Sequence, residues 1–181
     1  MKLEDVSATE HAALEVAVHE SAHATFAVYL GASVAEAVID RDTAEGLCTL
    51  TASVSPEVER GIGYAGVWAQ VRWRHGGRPA LSNIIEGLRE NRHDWDRVVR
   101  ADAGLPRQIE PVLETLWPAI TQVAKTLFIT GRADHDAVCA ALGMTGDQRH
   151  DDAVRASVRM GDAPRTFSWT SPPSEAAPRW A

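Results

Sequence analysis

Two histidines and a glutamate stand in the order His19-Glu20-Ser21-Ala22-His23. On a helix, residues four apart project from one face, about one turn from each other. Two imidazoles so placed can ligate a single Zn²⁺ through ring nitrogens at about 2.0–2.1 Å. Glu20 is set beside such an ion rather than on it. It can take a proton from a water held by the metal and carry it to a leaving amine. The pattern therefore points to zinc-dependent hydrolysis. The plain structural alternative is a pair of histidines hydrogen-bonded to their neighbours. The flanking residues Ala17, Val18, Ala22, Ala24, Phe26 and Ala27 are small or apolar. A buried helix with two His and one Glu must satisfy those polar groups, and a cation does so.

The elements around this motif read as follows. Ser7-Ala8-Thr9-Glu10 is a capping box that starts a helix near Ala8, and Gly31 stops it after Leu30. Val34 to Ile39 and Leu47 to Val54 read as strands, joined in a hairpin by the loop from Asp40 to Gly46. Pro56 opens a helix to about Arg74, ended by His75-Gly76-Gly77. A shorter helix covers Asn83 to Glu90. A third runs from Asn91 to about Asp102, either separate or continuous with the second. A fourth runs from Gln108 to Ile129, with Pro118 inside it to kink or split it. Asp134 caps a last helix, His135 to Leu142, closed by Gly143. The expected class is α+β: a predominantly helical domain with the HExxH helix and a small β-hairpin or sheet, spanning residues 1–144. Residues 145–181 carry Pro164, Pro172, Pro173 and Pro178 and read as a flexible tail, parts of which Trp169 and Trp180 would dock.

Bulk properties narrow the function classes. The 181 residues are 45% hydrophobic, enough for one compact domain with a core. A net charge of −7 and the lack of a long basic run disfavour a nucleic-acid partner. No signal-peptide pattern is present, and no apolar stretch reaches the roughly 18 residues a membrane helix needs. Cys48 and Cys139 form no CxxC pair and read as ordinary thiols. A cytoplasmic location is the simplest expectation.

The zinc helix resembles that of the FtsH-type (M41) metallopeptidases, whose motif HEaGHA is matched by His19-Glu20-Ser21-Ala22-His23-Ala24 and is followed by a hairpin. Ala65-Gly66-Val67-Trp68-Ala69-Gln70 is faintly similar to the family's GGRAAE helix, and Arg92 to Val98 resembles its SNDLERA segment. The likeness covers roughly residues 8 to 144. Ala22 replaces the usual Gly. The sequence shows no counterpart of the family's ATPase module or membrane anchor. The domain is therefore expected to act on unfolded or flexible polypeptide, on a dedicated small substrate, or with a partner, and a homo-oligomer is compatible with the resemblance.

A catalytic zinc usually takes three protein ligands and a water, and no third His or Glu follows shortly after His23. The resemblance implies Asp94. Asp96 is its local competitor, since two positions apart is about 200° around a helix and the two cannot share a face. His93 is a candidate for a supporting role. His11 lies on nearly the same face of the first helix as His19 and reads as a solvated first-turn residue. Trp68, Trp73, Trp95 and Trp117 read as packing anchors. The resemblance also implies that Leu47 to Val54 forms an edge onto which substrate adds as a strand. The resulting expectation is a zinc metallopeptidase with metal ligands His19, His23 and Asp94 and with Glu20 as general base. Two alternatives remain at this stage: a catalytically silent zinc-containing adaptor that binds polypeptide, and a hydrolase of a non-peptide amide.

Overall fold

The computed structural model describes residues 7–99 and 104–164. Helix α1 (Ala8–Tyr29) starts at the expected capping box: Ser7 Oγ accepts from the Glu10 N–H, and the Glu10 carboxylate accepts from the Ser7 N–H. Its first turns are largely exposed, but every residue from Ala17 to Tyr29 is buried. The helix thus runs into the centre of the protein and carries the HExxH residues with it. Leu30 closes it, and Gly31 turns the chain at φ +90°, where a side chain would be strained.

Strands β1 (Val34–Asp40) and β2 (Glu45–Leu50) form the antiparallel hairpin. A third strand that the sequence did not suggest, β3 (Arg132–Ala133), pairs with the other side of β1. The sheet order is β2-β1-β3, so β2 is an edge. It ends at Leu50 rather than Val54: the register shifts between Val34 and Glu36, and beyond Leu50 the chain is held to the start of β1 by Thr51, whose N–H and hydroxyl both donate to the Ser33 carbonyl.

Ser55 caps helix α2 (Pro56–His75), whose middle, from Gly61 to Val71, is buried against α1. Helices α3 (Leu81–Glu90) and α4 (Arg92–Val98) are separate, broken at Asn91 (φ −103°, ψ 83°). The expected run of the third helix on to Asp102 falls partly outside the described residues. A 3-10 turn (Arg107–Ile109) leads into α5 (Glu110–Thr130), which continues unbroken past Pro118. The ring sits on the exposed face, where the carbonyl it leaves without a partner can turn to water. Helix α6 (His135–Leu142) has the expected Asp134 and Gly143 caps.

Helix α7 (Gln148–Arg159) lies in the segment read as a Pro-rich tail. Asp147 caps it, Val158 is buried, and Arg155 donates to the Tyr29 carbonyl at 3.0 Å, tying it to the end of α1. The prolines that coloured that segment stand beyond this helix. Trp169 and Trp180 lie outside the described residues.

The architecture is α+β, helices around a three-stranded antiparallel sheet, with α1 between α2 and α5. Trp68 is fully buried edge-on to Trp117, and the Arg72 guanidinium stacks 4.1 Å over Trp117 while pairing with Glu114. Trp73, Trp95 and Trp117 pack partly buried on the core. Among the described residues, no helix is long and apolar enough to cross a membrane.

Candidate metal centre

His19 and His23 point the same way from α1, with their Nε2 atoms 2.9 Å apart. Asp94, in the first turn of α4, brings its Oδ2 to 2.9 Å from His19 Nε2 and 3.5 Å from His23 Nε2. All three are buried. Of the two aspartates open from sequence, Asp94 reaches the histidines while Asp96 is exposed on the other side of α4. His93 is also exposed, at the rim of the cavity over the site. His11 is exposed and stands apart from the cluster.

The far sides of both rings decide what the near sides are. The Gln70 amide nitrogen donates to the Glu15 carboxylate at 2.6 Å. A carboxylate only accepts, so the amide's orientation is fixed and Oε1 faces His19. That oxygen lies 3.0 Å from His19 Nδ1 and also accepts from Asn91 Nδ2 at 3.0 Å. An oxygen in that place requires Nδ1 to carry the proton. His23 Nδ1 likewise donates to the Ile62 carbonyl at 2.8 Å. With both Nδ1 atoms protonated, the neutral form of each imidazole turns a bare Nε2 lone pair toward the other ring and toward a carboxylate. In that form three acceptors converge on one point, and a metal ion or a shared proton relieves that. Ligand atoms around a tetrahedral ion with bonds of 2.0–2.1 Å stand roughly 3.4 Å apart. The 2.9 to 3.5 Å triangle seen here is close to that size. The donor set fits a small divalent metal, and His19, His23 and Asp94 could hold one.

The electrostatics agree. Burial opposes charge on His23. The Asp94 carboxylate, aided by Glu20 and the Ile62 carbonyl, outweighs burial and raises its pKa from 6.5 to about 9. Burial equally opposes charge on Asp94, yet the two histidines hold it well below the usual carboxylate range. Without a metal, a proton is drawn to the same point.

Close backbone approach makes the cluster fit. A Cβ on Gly66 of α2 would stand 2.6 Å from His23 Nε2, so glycine is what admits the ring. A Cβ on Gly46 of β2 would stand 2.6 Å from Glu20 Cγ. The hairpin therefore lies directly against the glutamate. Glu20 is 8% exposed and lines the cavity with His19 and His23. Its carboxylate accepts no hydrogen bond from the described residues.

The cavity over the cluster has a volume of about 450 Å³ and runs from α1 to β2 and α4. A second cavity of about 410 Å³ adjoins it, sharing His23, Leu47, Cys48 and Arg97. Together they form a groove past the edge strand. Cys48 in its wall is a neutral thiol, its pKa pushed up to about 12 by burial and by Glu20.

Sequence reasoning did not assign roles to Gln70, Asn91, Glu15 or Arg97. One signal was present: Gly63, Gly66 and Gln70 stand at helical spacing on one face of α2, and paired glycines mark close approach. Asn91 gave none. It stands where a helix cap belongs, but its side chain serves Gln70 and the Gly87 carbonyl instead. No protein-family model, no curated protein and no solved structure matches this chain.

Proposed function

We propose that the protein is a zinc-dependent hydrolase that cleaves peptide bonds, with His19, His23 and Asp94 as metal ligands and Glu20 as general base. One observation carries this reading: three acceptors converge with their protons locked on the far side, and an uncommitted glutamate stands next to them. A structural metal site has no need of that glutamate.

A zinc ion in such a place lowers the pKa of a bound water to about 7 and polarises a carbonyl oxygen. Gln70 and the Ile62 carbonyl hold the imidazoles in the tautomer that presents Nε2. Glu20 takes the proton of the attacking water, whose oxygen adds to the carbonyl carbon. As the C–N bond breaks, Glu20 hands that proton to the amine nitrogen. The groove and the edge strand favour an extended polypeptide over a small amide. Gly46, Leu47 and Cys48 belong both to the cavity wall and to β2, which has β1 on one side only. A peptide laid there gains backbone hydrogen bonds without regard to its sequence.

The test is zinc content together with cleavage of casein, for wild type and Glu20→Gln. One zinc per chain in both, with cleavage in wild type alone, supports the proposal. Cleavage by Glu20→Gln at the wild-type rate would remove the general base. An absence of zinc in both would remove the metal site.

A further inference from the structure

Asp94 has two oxygens, and they face different partners. Oδ2 faces the two Nε2 atoms. Oδ1 accepts from Arg97 Nη1 at 3.3 Å, one helical turn along α4. Oδ1 also lies against α2, since a Cβ on Gly63 would stand 3.5 Å from it and 3.2 Å from Arg97 Cβ. The other side of the guanidinium faces Glu59, with Nε 3.7 Å from Oε1. Arg97 is thus held between two carboxylates, and it lines both halves of the groove.

A carboxylate can bind a metal through one oxygen or two. One oxygen from Asp94 and two imidazoles make three protein ligands, which leaves a position for water. Two oxygens would use that position or force a higher coordination number. From this we infer that Arg97 is a positioning residue. Its guanidinium occupies Oδ1, restricts Asp94 to a single metal bond, and so keeps one coordination position open toward Glu20. The inference rests on the metal reading above and goes beyond it, because a site with a two-oxygen Asp94 would still bind zinc.

Cobalt(II) tests this without any reference to turnover, because its visible bands are intense when it is four-coordinate and weak at higher coordination. The metal-free full chain is titrated with Co²⁺ as wild type, Arg97→Gln, Arg97→Lys and Glu59→Gln. Wild type is expected to give intense four-coordinate bands. Arg97→Gln should lose most of that intensity, with affinity down roughly 10–100-fold, the usual cost of removing a group that orients a ligand. Arg97→Lys keeps a donor for Oδ1 and should recover part of the intensity. Glu59→Gln removes the other partner of Arg97 and should leave the spectrum as in wild type. Wild-type bands and affinity in both Arg97 variants would overturn the inference while leaving the metal site standing. If Arg97→Gln does not fold, the lysine variant decides: intensity below wild type supports the inference, and full wild-type intensity and affinity in it overturns the inference. Failure of wild type to bind Co²⁺ would overturn both the inference and the metal reading.

Discussion

Helix α2 backs two buried polar clusters, and they differ in how their hydrogen-bond donors and acceptors add up. On one face, Tyr64 donates to Glu110 Oε1 at 2.7 Å, and Arg107 donates to both oxygens of the same carboxylate. Each acceptor there has a donor, and the cluster closes the junction of α2 and α5. On the other face, Gly66 and Gln70 back His19, His23 and Asp94, where two Nε2 atoms and a carboxylate oxygen meet and a proton on His23 is the donor they must share. Both clusters centre on a buried carboxylate, Glu110 or Asp94, although Arg107 is itself exposed, so burial of the carboxylate does not separate them. The balance does: a satisfied cluster is complete as structure, whereas one whose acceptors must share a single proton can exchange that proton for a metal ion.

The comparison breaks most sharply at the ligands. His23→Ala removes one acceptor and one wall of the triangle. The bound zinc is expected to fall from one per chain to none, with loss of hydrolysis, as read by metal analysis after dialysis. Tyr64→Phe should leave zinc at one per chain. If both variants keep zinc, the two clusters are alike and the distinction fails. Gly66→Ala comes next in size. Its methyl must displace the His23 ring or push α2 from α1, at about 1–3 kcal/mol of stability. Zinc affinity should fall roughly 10–100-fold with the ring's position lost, and calorimetric titration measures it. Tyr64→Phe is smaller. Glu110 keeps Arg107, so the loss is about 1 kcal/mol, a Tm decrease of roughly 2–4 °C for a chain of this size. A decrease above 8 °C would mean that the satisfied cluster matters more than this ledger of bonds allows.

Local signals carried much of this molecule. The capping box at Ser7, Pro56 in the first turn of α2, and Asp134 with Gly143 around α6 each act within a few residues, and each element starts or stops where those signals lie. Strand β3 is two residues long and exists only because β1 offers it an edge, so no window of sequence contained it. Helix α7 was hidden by prolines that follow it, although Asp147 and the Val154, Val158 pair were in plain view. At the site, the HExxH spacing is a property of one helix and was legible at once. Asp94 was reached only through a resemblance, because nothing local says which aspartate on α4 faces α1. Gln70 and Asn91 reach the site across tertiary contacts, Gln70 and His19 being 51 residues apart, whereas Arg97 meets Asp94 at i,i+3 on one helix. No spacing rule encodes the contacts of Gln70 and Asn91; the Asp94–Arg97 spacing is a helical one, but it does not say that the pair faces α1.

The smallest effect is a pH slope, and the two clusters should give it opposite signs. His23 has a folded-state pKa raised from 6.5 to about 9 in the metal-free protein. Its contribution is therefore complete below about 6.5 and is lost as pH rises through about 9. Glu110 is held below its ordinary value; burial opposes this, and the hydrogen bonds from Arg107 and Tyr64 outweigh it. Its contribution is complete above the ordinary carboxylate range and is lost as pH falls through the lowered value. Glu10 and Asp40 are held low too, so acid destabilisation by itself identifies no single cluster. The alkaline side does discriminate. With zinc bound, the Nε2 lone pairs are committed and His23 has no proton there to lose. Thermal melts with and without stoichiometric zinc should therefore diverge as pH rises from 7 to 9, because only the metal-free protein weakens. Below pH 6.5 the gap should shrink as protons compete for the same nitrogen. The Glu110 cluster contributes equally with and without zinc and cancels from the difference. A zinc-induced Tm gain that stays flat from pH 6 to 9 would show that no proton is exchanged for the metal at His23, and the charge imbalance that separates the two clusters would be gone.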